Sequence, residues 1–249
     1  MPSNVIQLRD DLLTLDARPD RLDLRDLPYR PPVINLPPVW PEPEAMRRLF
    51  PAYLQAGLIL DQGKQGACTG FGLAAVINYL LWQRSDYAMG ATDIVSPRML
   101  YQLARMYDEW DGEDYEGSSC RGALRGWHRH GVCRESLWPY RDGSFVRPLA
   151  GWDDDARHRP LGVYYRIDAT SVTDMQTAIK ERGAIYVSAN VHAGWDLTAR
   201  RKAKPPLPDL SRLPLIDLAK SFRRWGGHAF AIVGYTADGF IVQNSWGTR

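Results

Sequence analysis

The residues of this chain best suited to chemistry are a cysteine, a histidine, an asparagine and a glutamine. Cys68 lies in the stretch Gly66-Ala67-Cys68-Thr69-Gly70, whose small side chains leave room for a peptide backbone to approach the sulfur. A free thiol is mostly protonated at neutral pH, so nucleophilic attack on an amide requires something that stabilises the thiolate. A helix N-terminus offers partial positive charge and unpaired backbone N–H groups, and a protonated histidine offers a full charge. His228 is the candidate for that histidine. Asn244 carries an amide oxygen that can bond the second ring nitrogen and fix its tautomer, and Trp246 can cover that contact and exclude water. Gln62, on the loop before the cysteine, has an amide N–H₂ that would complete an oxyanion site with the Cys68 backbone N–H.

These groups need elements to position them. Leu73, Val76, Ile77, Leu80 and Leu81 recur at the spacing of one buried helical face, and a helix there puts Cys68 at its N-terminus. Residues 97–110 and 121–130 also read as helices, the second stopped by Gly131, with a turn at Trp138-Pro139-Tyr140. Beyond residue 160 the apolar, β-branched runs 163–167, 185–191, 230–235 and 240–242 read as strands, with a helix at 172–182. The turn residues Thr236-Ala237-Asp238-Gly239 join the last two strands, so His228 and Asn244 fall on the two arms of one hairpin, towards its open end. The proline-rich segment 27–43 favours extended backbone. The first half is thus mainly α, the second mainly β.

A chain of 249 residues with 45% hydrophobic and 11% aromatic content can bury a large core. A net charge of +2 gives no field for nucleic acid. Three cysteines without a CxxC pair suggest neither a disulfide framework nor structural zinc, and Cys120 and Cys133 read as buried structural thiols. His128 and His130 point in different directions on one helix, so no metal pair is expected. Asp153-Asp154-Asp155 reads as a solvated loop, and the basic residues of loop 199–204 and Arg223-Arg224 as solvated surface. His192 reads as strand-end packing. No cofactor is expected. The chain has no apolar run of about 18 residues that would span a membrane and no basic-then-apolar secretory start, which makes the cytoplasm the expected compartment.

Three blocks in order, Asp61-Gln62-Gly63-Lys64-Gln65-Gly66-Ala67-Cys68-Thr69-Gly70-Phe71, then Gly227-His228-Ala229-Phe230, then Asn244-Ser245-Trp246-Gly247, resemble the signature blocks of papain-like cysteine peptidases. The resemblance covers residues 20–249, and Gly131-Val132-Cys133 followed by Trp138-Pro139-Tyr140 is similar to bacterial members. It implies an α+β fold of two lobes, a helical left lobe over 21–150 and an antiparallel β-barrel right lobe over 151–249, with the cleft between them. It further implies a thiol-dependent endopeptidase acting on peptides or proteins through an acyl-enzyme on Cys68, with Gly117, Ser118, Ser119, Ala229 and Trp246 contacting substrate. An acyl-transfer or ligase enzyme on the same site, or a catalytically silent binding module, are the alternatives.

Asp23-Leu24-Arg25 resembles the family's mature N-terminal segment. The cysteine that family members in oxidising compartments carry three residues before the nucleophile is Gln65 here, and the aromatic that follows the nucleophile is Thr69. A long helical pro-segment is missing from the pattern, so self-inhibition is expected from residues 1–20 lying over the cleft as a short plug. The family's right lobe continues past the Asn-Ser-Trp-Gly block, so this lobe reads as C-terminally incomplete, the chain being a fragment of a longer protein or its N-terminal strap closing the barrel.

Overall fold

The computed structural model describes residues 5–8, 11–110, 115–197, 213–218 and 224–248. Its centre is helix α2, Cys68–Arg84, in which every residue from Cys68 to Tyr79 is buried. A helix apolar on all sides must be enclosed on all sides. One face packs Leu73, Ala74 and Ile77 against Val95, Met99, Leu100 and Leu103 of helix α3, Pro97–Met106, and its lead-in, and against Ala123 of helix α4, Cys120–His130. Another packs Ala75, Val76 and Tyr79 with Tyr53, Leu58, Ala184 and Ala231.

Serine caps start α3 and α4: Ser96 Oγ accepts from the Met99 N–H, and Ser119 Oγ from the Gly122 N–H. Helix α3 ends at Met106, short of the expected residue 110. There the Asp108 carboxylate accepts from the Ser119 N–H at 3.1 Å and from the Tyr115 hydroxyl, a local alternative to helical pairing.

The β half holds one antiparallel sheet in the order β5 (Ile185–His192), β6 (Arg224–Thr236), β7 (Gly239–Gln243). Its hairpin closes where expected, with Thr236 opposite Gly239 and the Asp238 N–H donating to Thr236 Oγ1 at 3.1 Å. Helix α6, Val172–Arg182, lays Ala178 and Ile179 on Ile185, Phe230 and Ile232 behind the sheet.

The run 163–167 is not a strand of that sheet. Among the described residues its only ladder contact is one bridge from Arg166 to Pro28, and Val163 and Tyr165 stay exposed. Proline has no N–H, so the proline-rich strap cannot extend the ladder. Helices α1 (Pro43–Gln55) and α5 (Trp152–Arg157) went unread in the sequence. Helix α1 starts on a proline at its first turn and buries Tyr53. Helix α5 contains the three aspartates expected in a solvated loop. Asp155 is largely buried, pairing with Arg134 at 3.0 Å and Arg159 at 2.8 Å.

The N-terminal segment is ordered into three short strands. Strands β1 (Val5–Leu8) and β2 (Asp11–Thr14) form an antiparallel hairpin, Leu15 enters the core beside Ile179, Trp195 and Phe230, and β3 (Ala17–Arg18) pairs in parallel with β4 (Ser118–Ser119). Residues 19–26 then run along α4. The Arg121 guanidinium, almost fully buried, binds Asp26 and Glu109, and Arg125 binds Asp23 at 2.9 Å. A charge that deeply buried is tolerable only when it is paired in this way.

Helix α2 and strand β6 meet at Gly72, where an added Cβ would lie 2.8 Å from the Phe230 nitrogen and 2.9 Å from the Ala229 carbonyl carbon. Gly72→Val must therefore push the helix off the sheet. It is expected to lower unfolding free energy by about 1–3 kcal/mol, measured by urea denaturation, with an undiminished midpoint counting against this contact.

Candidate active site

Cys68 is the first residue of α2, and Ala67 before it provides no side-chain cap. The leading N–H groups of the helix are therefore left for the sulfur. The close approach of α2 to β6 adds another: the backbone N–H groups of Ala229, Thr69 and Cys68 all favour the thiolate. Burial opposes them and is the larger effect, because Cys68 is fully enclosed with Ala17, Cys120 and Ala229. The thiol is pushed up to about 11 and is protonated at neutral pH.

His228, fully buried on β6, places Nε2 at 2.8 Å from Asn244 Oδ1, across the open end of the β6–β7 hairpin. The same oxygen accepts from the Ser245 N–H at 2.7 Å. An amide oxygen only accepts, so the imidazole proton sits on Nε2. Nδ1 has no hydrogen-bond partner among the described residues. Burial pulls His228 down to about 4 against the opposing Asn244 bond, so the ring is neutral. Trp246 packs on the ring with centroids 5.0 Å apart, and Trp195, which drew no attention in the sequence, meets it edge-on at 6.1 Å.

Gln62 is fully buried and held from four directions. Its N–H donates to the Ser245 carbonyl at 2.9 Å, its Oε1 accepts from Ser245 Oγ at 2.7 Å, its Nε2 donates to the Gln65 carbonyl at 3.0 Å, and its own carbonyl accepts from Tyr140 Oη at 2.6 Å. The rest of the loop is fastened by Asp142, whose carboxylate accepts from the N–H groups of Lys64 at 3.1 Å and Gln65 at 3.2 Å. Arg98 completes the clamp. Its Nη2 donates to Gln65 Oε1 at 3.1 Å and to the carbonyls of Arg141 at 3.0 Å and Ser144 at 2.8 Å. Gln65 is thus gripped by a buried guanidinium at the position where the family pattern has a disulfide cysteine. Arg98 lay unmarked inside a predicted helix and Tyr140 was read only as a turn; no spacing rule joins them to Gln62.

Gly117, Ser118 and Ser119 form the wall that pairs with the N-terminal segment. Ser118 Oγ and Thr69 Oγ1 share a hydrogen bond of 2.6 Å, and the Thr69 carbonyl accepts from Tyr186 Oη at 2.7 Å. Residues 16–18 pass between the lobes, Asp16 bridging to Gly227 on one side and Ala17–Arg18 to Ser118–Ser119 on the other. An added Cβ at Gly117 would collide with the Asp16 carbonyl, and one at Gly227 with the Ala17 carbonyl. Only glycine admits a backbone this close. The Ala17 side chain sits against Cys68, Cys120 and Ala229, with Tyr186 alongside. Cys120, its thiol pushed up to about 12 by burial, is therefore part of the pocket wall, whereas Cys133 belongs to the helical core.

The remaining sequence candidates lie elsewhere. His128 Nδ1 donates to the carbonyls of Leu161 and Gly162 at 3.2 Å, and His130 Nε2 meets Tyr107 Oη at 2.6 Å. His192 Nδ1 accepts from the Gly194 N–H at 3.0 Å at the end of β5. Arg224 is exposed, while loop 199–204 and Arg223 lie outside the described residues. Among the described residues no group of three or more His, Cys, Asp or Glu side chains could hold a metal, and no helix is long and apolar enough to cross a membrane.

A helical and a β lobe with cysteine and histidine at their junction define the papain-like fold, and the comparisons agree. No family model matches the sequence and no curated protein matches it. Among solved structures, the chain is similar to xylellain, a cysteine protease from Xylella fastidiosa, at 25% identity and a TM-score of 0.67, covering 94% of this chain and 84% of that one. It is similar in fold to proCathepsin B S9 from Trypanosoma congolense (17% identity, TM-score 0.62, 94% and 76% covered) and to digestive procathepsin L 3 of Tenebrio molitor (20%, 0.60, 89% and 64%). The chain has the papain-like fold that these cysteine proteases share.

Because the folded state keeps His228 neutral down to about pH 4, the unfolded chain takes up the proton first as pH falls. This contribution to stability is intact above the unfolded value of 6.5 and is lost between there and about 4, at no more than about 1.4 kcal/mol per pH unit. Urea titrations at several pH values should show His228→Phe flattening that slope relative to the parent chain. Arg98→Met strips three acceptors of their donor and is expected to cost about 2–4 kcal/mol; a thermal midpoint within error of the parent would remove Arg98 from the loop's support.

Proposed function

We propose that this chain is a thiol-dependent endopeptidase, held closed by its own residues 11–18. The observation that carries this reading is the extended peptide segment 16–18 bound across Cys68, between Gly117–Ser119 and Gly227. A cleft that already pairs with peptide backbone beside a helix-start cysteine is built to take peptides. Two of the similar structures, proCathepsin B S9 and procathepsin L 3, are proenzymes, in keeping with an inhibitory N-terminal segment.

In the open form, water entering the cleft relieves the desolvation that keeps the pair neutral, and the Cys68 thiol passes its proton to His228 Nδ1. The thiolate attacks the carbonyl carbon, and the Cys68 N–H with the Gln62 amide receives the oxyanion. His228 then protonates the amine as the C–N bond breaks, leaving an acyl-enzyme. A water molecule, deprotonated by His228, attacks the acyl carbon and releases the carboxylic acid product and the thiol. Asn244 holds the ring throughout, and Trp246 and Trp195 keep water from their contact.

The test is labelling of the full chain with a peptidyl epoxysuccinyl probe, the modified residue being mapped by mass spectrometry alongside cleavage of mixed peptides. Labelling should be slow in the parent chain and at least about tenfold faster in Ala17→Glu, whose side chain does not fit against Cys68 and Cys120. It should be lost in Cys68→Ala, and reduced on the order of 100-fold or more in His228→Ala. A folded Ala17→Glu protein that neither reacts at Cys68 nor cleaves any peptide would overturn the proposal, and transfer of the acyl group to an added amine in preference to water would make the enzyme a ligase.

A further inference from the structure

We propose that Trp110 and Tyr115 form a subsite for a cationic side chain of the substrate, which Arg18 occupies in the closed form. The inference rests on the peptidase reading and extends it to substrate class. The Arg18 guanidinium carbon lies 4.4 Å from the centroid of the Tyr115 ring and 5.6 Å from that of Trp110, and that of Arg21 lies 4.3 Å from the Trp110 ring. Two guanidinium groups thus gather on one aromatic pair. The face of an aromatic ring is the negative end of its quadrupole and attracts a cation.

The platform is braced by groups that are themselves fixed. Tyr115 Oη donates to Asp108 Oδ2, while Asp108 Oδ1 accepts from the Ser119 N–H at 3.1 Å. One carboxylate thereby ties the ring to the strand that pairs with the bound peptide. It also leaves a negative charge behind the ring, which adds to the attraction for a cation and repels an anion. Trp110 is steered from the other side by its Nε1–H, which donates to the Pro19 carbonyl at 3.3 Å.

Strand geometry converts this platform into a specificity rule. Successive side chains of an extended segment point in opposite directions. With Ala17 against Cys68, Cys120 and Ala229, the next residue is delivered to the aromatic pair. A substrate on the same β4 edge would place a small side chain in the Ala17 pocket, and a lysine or arginine on Trp110 and Tyr115 one residue farther from Cys68. Neither the sequence blocks nor the catalytic groups determine that preference. It comes from residues 110 and 115, outside all three.

The experiment uses the full chain opened by Ala17→Glu, or by Leu15→Asp should the first fail to fold, with opening confirmed by probe labelling of Cys68. A positional peptide library with every residue varied in turn is cleaved, and kcat/KM is then measured for matched peptides carrying arginine, methionine or glutamate at the selected position. Arginine or lysine should be enriched at one position only, with kcat/KM about fivefold above methionine, expressed in KM, and glutamate below both. Trp110→Leu should bring arginine and methionine together, and Trp110→Phe, which keeps an aromatic face, should retain part of the preference. Equal cleavage of the three peptides, or a preference for arginine that survives Trp110→Leu together with Tyr115→Leu, overturns the subsite while leaving the peptidase intact. Failure to cleave any peptide in a chain that is open to the probe overturns the peptidase reading itself.

Discussion

The contact between helix α2 and strand β6 is the constraint on which the rest of the structure depends. Gly72 lets the helix backbone settle on Ala229 and Phe230, and that approach brings the first residue of the helix to the residue after His228. A side chain in place of Gly72 would press against the Ala229 and Phe230 backbone of the histidine strand. The helix is held there by enclosure: α3 and α4 cover one face, and α1 with the sheet covers another. Burying apolar side chains on every face of one helix, at about 25 cal/mol per Å² of apolar surface, supplies the force that presses a polar site into the seam between the lobes.

That burial also sets the chemical state of the site. The N–H groups of Cys68, Thr69 and Ala229 lean towards a thiolate, and the Asn244 bond leans towards an imidazolium. Both are outweighed by the removal of water, which leaves sulfur and ring neutral. The segment 16–18 is part of what removes the water, so occupancy of the cleft and protonation of the pair are linked. On the proposed reading, closing the cleft silences Cys68 electrostatically as well as sterically, and opening it restores the solvent that lets charge separate.

The N-terminal segment is tied down unevenly. Leu15 is fully buried in the core of the β half, Ala17 fills the pocket beside the sulfur, and residues 19–26 are fastened to α4 through Arg121, Glu109, Asp23 and Asp26. The apolar anchors draw their stability from burial and respond little to salt, whereas the partly exposed pairs, such as Asp23 with Arg125, are screened by it. The part of the segment nearest Cys68 is thus held by shape and the part farther along α4 by charge.

Much of the site was present in the order of residues. Cysteine at a helix start, histidine and asparagine on the arms of one hairpin, and glutamine on the loop before the cysteine can all be read locally, because helix period, strand alternation and turn chemistry act over a few residues. Helices α2, α4 and α6 and the strands of the sheet were legible for the same reason. The run 163–167 was misread because its apolar, β-branched composition says nothing about whether a partner strand has N–H groups to offer, and Asp155 of α5 because one of its arginine partners, Arg134, comes from elsewhere in the chain. The clamp of Arg98, Tyr140 and Asp142 on the Gln62 loop, the Trp195 wall of the histidine, the closing of the cleft by Leu15 to Arg18 and the aromatic pair of Trp110 and Tyr115 join residues distant in sequence. The sequence by itself determined which groups could react and which elements carry them. Only the tertiary structure decided which neighbours those groups meet and how much water reaches them, since burial and long-range pairing depend on how the elements pack and not on any local pattern.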